Sequence, residues 1–179
     1  MLLHRKSWRK LLLVSCWMIS VLTSNLAAGR IDTQHWQLFA VAYPPNKDVT
    51  VILGGGEKTL TTRGLAKVKW EDNNARLQLE IQNLPAADSL GWAGRQYVLW
   101  AIDSEKKVLN LGLVPMSSKN ANWQVQLPFR VFGLLVTAES NPTATAPGAA
   151  VVLESLLPDD PYLVVPVLRV EVTLASPNG

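Results

Sequence analysis

The chain of 179 residues is poor in the side chains that do covalent and metal chemistry. It has one cysteine and two histidines, and beyond position 28 there is no cysteine and only His35. A disulfide framework, a zinc site of Cys or paired His, and a thiol nucleophile are thereby excluded from that part. A Ser-His-acid set would have to recruit His35, which stands beside Trp36 and reads better as an ordinary first-strand residue. Charge is also sparse, at 17% of residues. Of the 17 basic residues, Arg5, Lys6, Arg9 and Lys10 lie in the first ten positions, leaving 13 basic against 14 acidic groups in the rest. The net charge of +3 therefore belongs to the leader, and no nucleic-acid partner is expected. No cofactor and no metal are expected either.

What is present begins with that leader. A basic start is followed by an apolar run over 11–22 and then by small residues at Ala27, Ala28 and Gly29. This is the layout of a secretory signal with a cleavage site. Two other readings stay open. An uncleaved anchor needs about 20 apolar residues, and 11–28 approaches that only by including Ser20, Thr23, Ser24 and Asn25. A lipid on Cys16 would follow from Leu13-Val14-Ser15-Cys16, although the apolar run continues past it. All three place residues 30–179 outside the cytoplasm: periplasmic, secreted, or held to the plasma membrane through residues 1–28.

Beyond the leader, period-2 alternation recurs and no helical stripe is visible. In Arg76-Leu77-Gln78-Leu79-Glu80-Ile81-Gln82 three apolar side chains point one way and the polar ones the other. Residues 122–127 repeat the device, whereas 96–103 are apolar on both faces and predict a central strand. Further strands are expected at 36–43, 49–53, 65–70, 108–114, 133–139, 149–153 and 163–174. Pro166 should break the last or confine it to an edge. Glu71-Asp72-Asn73-Asn74 and residues 103–107 read as hairpin turns, and 140–148 as a mobile loop. Short strands at this spacing predict one all-β domain over 29–179, an antiparallel, immunoglobulin-like β-sandwich preceded by a signal or anchor helix. About 150 residues suffice to stabilise such a domain without disulfides.

The order of several motifs resembles the C-terminal, extracytoplasmic domain of the anti-sigma-K factor family. The likeness runs over 65–153. It is carried by Lys69-Trp70 at a strand end, by Asn83-Leu84-Pro85 before a loop of small residues, and by Tyr97-Val98-Leu99-Trp100-Ala101-Ile102-Asp103. Leu111-Gly112 and Val136-Thr137-Ala138-Glu139 follow in order. The resemblance implies a β-sandwich with a sensory or regulatory role. Ten residues before the apolar run cannot form a sigma-binding fold, so inhibition of a sigma factor is not carried over. Asn141-Pro142 also stands where the family has a double glycine.

Few segments of the chain carry the residue patterns that chemistry needs. Gly54-Gly55-Gly56-Glu57-Lys58-Thr59 lacks the spacing and the following helix of a phosphate loop and reads as a flexible hairpin. Asp159-Asp160 with Glu154 could offer oxygens to a hard cation, but the flanking Pro158 and Pro161 favour a solvated turn. Paired carboxylates for glycoside hydrolysis cannot be read from sequence, since the fold decides their separation. Trp100 and Trp123 are expected in the core. Trp92 lies in Leu90-Gly91-Trp92-Ala93-Gly94, a loop where an exposed ring, with Gly91 and Gly94, would meet a partner or ligand, and where a ring folded back over the end of the sandwich is the equal alternative. The expected function is a noncatalytic regulatory, sensory or protein-binding envelope module. The alternative is a glycan-binding or structural envelope module that stacks sugars on Trp92 and Trp36.

Overall fold

A computed structural model describes residues 34–160 and 162–175; the leader with its signal, anchor and Cys16 readings lies outside them. The described residues form eleven strands and two short 3-10 turns, the all-β antiparallel fold that the alternation predicts. The strands are β1 (Gln34–Ala42), β2 (Asp48–Gly55), β3 (Arg63–Glu71), β4 (Asn74–Gln82), β5 (Gln96–Asp103), β6 (Val108–Leu113), β7 (Met116–Ser117), β8 (Asn120–Leu127), β9 (Val131–Glu139), β10 (Val151–Pro158) and β11 (Val167–Leu174). β7 is the one strand the sequence pattern misses, because two residues carry no period. The last strand starts after Pro166, as the missing backbone donor requires, and among the described strands pairs only with β1.

All eleven strands join one hydrogen-bonded network, in the order β11-β1-β9-β10-β2-β3-β4-β8-β7, with β5 and β6 branching from β9. β4 shows how sequence becomes structure: Ala75, Leu77, Leu79 and Ile81 are buried and every residue between them is exposed. At roughly 1.5–3 kcal/mol for each large apolar side chain buried, that face fixes the register. The turn from β3 into β4 places Asp72 and Asn73 at positive φ, the geometry of a two-residue hairpin turn matched to strand twist. At 103–107 the Asp103 carboxylate accepts the backbone N–H of Glu105 and of Lys107, both at 2.8 Å. The first turn rests on residues that tolerate positive φ and the second on a side chain that stands in for backbone partners.

β5 and β9 are buried on both faces. Tyr97, Leu99 and Ala101, with Phe132, Leu134 and Val136, join the main core with β2, β3 and β4. On the opposite face Val98, Trp100, Ile102 and Leu135 pack with Leu38, Ala40, Val170 and Val172 of β1 and β11. β1 crosses so closely that a Cβ on Gly133 would lie 2.5 Å from the Phe39 carbonyl oxygen. One edge of β9 is shared. β1 pairs with it at 131–132 and β10 at 135–137. Between them the Leu134 N–H donates to the Ser155 hydroxyl at 3.0 Å, and that hydroxyl donates to the Phe39 carbonyl at 2.6 Å.

Two sequence readings are corrected. Residues 140–148 are a pinned loop, since Asn110 donates to the carbonyls of Pro142 and Ala144 at 3.0 and 2.9 Å, and Glu139 accepts the Gly148 N–H at 2.7 Å. Composition suggested mobility because these anchors come from outside the loop. The glycine run at 54–56 leads into a 3-10 turn, Glu57–Thr59, whose Thr59 hydroxyl is buried on the Val152 carbonyl at 3.0 Å. A Cβ on Gly55 would overlap that hydroxyl, so the glycine serves close approach and not flexibility.

Ser155→Ala leaves a buried N–H and a carbonyl without a partner where β1 and β10 diverge. It should cost about 2 kcal/mol, read as a lower urea midpoint with an unchanged slope. An unchanged midpoint would show that the bridge does not matter.

Candidate functional site

The loop that carries Trp92 is built by its glycines. After the 3-10 turn Ala87–Leu90, Gly91 has φ +84° and Gly94 φ +70°, and a Cβ on either would meet nothing within 4 Å. The requirement is conformational, because left-handed backbone disfavours a side chain even in open space. The Asp88 carboxylate accepts the Gly94 N–H at 2.8 Å, and the Trp92 N–H donates to the Ala87 carbonyl at 3.0 Å. Gly91 and Gly94 thus aim the ring and do not line the cavity it opens on.

Trp92 is half-buried and packs against the main core. The Lys58 ammonium sits 5.1 Å from its ring centroid and donates to the Leu90 carbonyl at 3.0 Å, tying the β2–β3 connection to this loop. Trp36 of β1, also half-buried, reaches the same place. Together with Arg95, Ala149, Ala150 and Val151 the two indoles line a cavity of about 240 Å³. The Trp36 Nε1–H donates to the Glu154 carboxylate at 2.7 Å, and Arg95 donates to the Ala138 carbonyl at 3.3 Å. Burial raises the Glu154 carboxyl above its ordinary range, against the lowering effect of the indole hydrogen bond. Below the loop, the Tyr97 hydroxyl donates to the Pro85 carbonyl at 2.7 Å, and burial, helped by Asp88, pushes it up to about 12.

This arrangement offers two aromatic surfaces, an apolar wall and one guanidinium. The described lining residues present contact surface and hydrogen-bond donors to a ligand. The remaining sequence candidates are dispersed. His35 is exposed on β1, 3.5 Å from Glu171. Asp160 accepts the Tyr162 N–H at 2.8 Å within its turn, while Glu154 is engaged by Trp36. Among the described residues no group of three or more His, Cys, Asp or Glu is placed to hold a metal ion. None of their helices is long and apolar enough to cross a membrane. Trp100 is fully buried, as expected of a core residue. Trp123 is only half-buried against the main core.

A larger trough, of about 490 Å³, lies over the outward face of β2, β3 and β4. Ile52 and Leu65, paired in register, are exposed on it, and Leu60 is 77% exposed at its end. The sequence carried a signal for it, since both Ile52 and Leu65 fall out of phase with the inward residues of their strands.

No family model, no curated protein and no solved structure matches the chain. The site rests on its own geometry.

Because Glu154 has a raised carboxyl pKa in the fold, ionising it opposes folding. Its contribution is favourable below the ordinary carboxylate pKa and is lost as pH rises through the raised one. Relative to Glu154→Gln, the unsubstituted protein should therefore lose stability as pH climbs from about 4 towards 7, measured by thermal unfolding at each pH. Parallel curves for the two proteins would remove the effect.

Proposed function

We propose that the chain is a noncatalytic extracytoplasmic module with the regulatory or sensory role of the anti-sigma-K factor C-terminal domain that it resembles. It recognises a protein partner of the envelope through the cavity between Trp36 and Trp92. One observation carries this reading. Two indoles and Arg95, from β1 and from the segment before β5, converge on a cavity whose lining among the described residues is contact surface without an acid, base or nucleophile. Aromatic residues and arginine are the types enriched where proteins bind one another. The reading includes a leader at 1–28 that exports the chain or anchors it. It also includes an immunoglobulin-like sandwich, supported by the core enclosed between β2–β3–β4 and β5–β9.

The pairing of two rings also favours a second reading, recognition of a glycan that stacks on Trp36 and Trp92. The two are separated by one experiment. Protein recovered from envelope extract with the full chain should include one stoichiometric partner, and Trp92→Ala should reduce its recovery about tenfold or more, as loss of a hot-spot aromatic does. Recovery of only lipid and bulk protein defeats the partner reading. Retention on cell-wall polysaccharide that is lost in Trp92→Ala establishes the glycan reading instead.

A further inference from the structure

Three strands end the network among the described residues, and they differ in how their free edges are protected. β7 is two residues long. β6 carries an irregularity opposite Leu99 and Trp100, with Gly112 at φ +108° and the Asn110 carboxamide oxygen accepting the Gly112 N–H at 2.8 Å. Short length and bulges are the ordinary ways to keep an edge from pairing. β11 has neither. Its eight residues pair with β1 in unbroken register, and no described strand takes its other edge. The free stretch ends at Ala175, which exchanges hydrogen bonds with Pro147 and Ala149.

The side chains along this edge are specific. Val170, Val172 and Leu174 turn inward to the second core, which places Arg169, Glu171 and Thr173 on the outward face. Among the described residues Arg169 has no carboxylate partner, and its guanidinium lies 5.6 Å from the Phe39 ring centroid. Glu171 stands two positions on, approached by His35 at 3.5 Å and Lys106 at 3.4 Å. Both are long contacts on exposed groups, so the carboxylate retains acceptor capacity for a guanidinium.

We propose that β11 pairs antiparallel with β11 of a second copy of this chain, about a two-fold axis at Val170. In that register Arg169 faces Glu171 of the other copy and Glu171 faces its Arg169, giving two reciprocal ion pairs on one face. Leu168, which is 41% exposed, comes opposite Val172. The neighbouring registers are disfavoured. A strand that keeps its faces can slip only in steps of two, and those two slips set Arg169 against Arg169 or Glu171 against Glu171. The dimer is thus chosen by charge complementarity and by repulsion in its competitors. The resulting interface is isologous, as a two-fold requires.

Sedimentation of the full chain in mild detergent tests this, with thermal unfolding as the check that each variant folds. The unsubstituted chain should sediment as a dimer at micromolar concentration. Arg169→Glu sets two Glu–Glu contacts across the axis and should weaken dimerisation about tenfold or more. Glu171→Arg should do the same with Arg–Arg contacts. The double variant R169E/E171R exchanges the charges, restores both pairs and should recover the dimer. A monomeric parent chain overturns the proposal, as does a dimer indifferent to either single substitution. A double variant that remains as weak as the singles also overturns it, because the register would then be wrong. If either single variant fails to unfold cooperatively, the other single and the double decide the question.

Discussion

The edge of β9 is the constraint on which the fold depends. A strand has two edges, and β9 gives one to β5 over residues 132–139 and divides the other between β1 and β10. Dividing an edge leaves a backbone N–H at the divergence, deep in the protein, where an unpaired donor is costly. Ser155 resolves this by accepting from Leu134 and donating to Phe39, so one hydroxyl serves both strands. From that point β10 leads to β2, β3 and β4, and β1 leads to β11. The two cores follow, one on each face of β5 and β9.

The second core contains a buried polar relay that explains the ordered loop at 140–148. The Trp100 Nε1–H donates to the Thr137 hydroxyl at 2.8 Å, and that hydroxyl donates to Glu139, which also accepts from Gly148. Among the described residues each buried side-chain nitrogen and oxygen has a partner, as a low-dielectric interior demands. The relay ties the end of β9 to the segment that supplies Ala149, Ala150 and Val151 to the Trp36–Trp92 cavity. The cavity wall is therefore held by the core.

How much was legible follows from the range of each interaction. The β4 alternation and the double-sided apolar run at 96–103 name their strands because burial acts on consecutive residues, and both strands occur where the pattern places them. Asp72-Asn73 named its turn for the same local reason. Trp92 could be singled out by its glycines, yet nothing local says that Trp36 shares its cavity or that Lys58 braces its loop. Ser155 and Asn110 gave no signal at all, since a lone hydroxyl or amide acquires its role only from distant backbone.

The sequence by itself determined which segments are strands and which turns connect them, because φ/ψ preference and period-2 burial are properties of neighbours along the chain. It also determined the poverty of reactive side chains beyond residue 28. Only the tertiary structure decided that two strands share one edge of β9, that a polar loop is pinned, and that two indoles meet over Arg95. Those outcomes depend on partners far apart in sequence, which are selected when the buried faces close on one another.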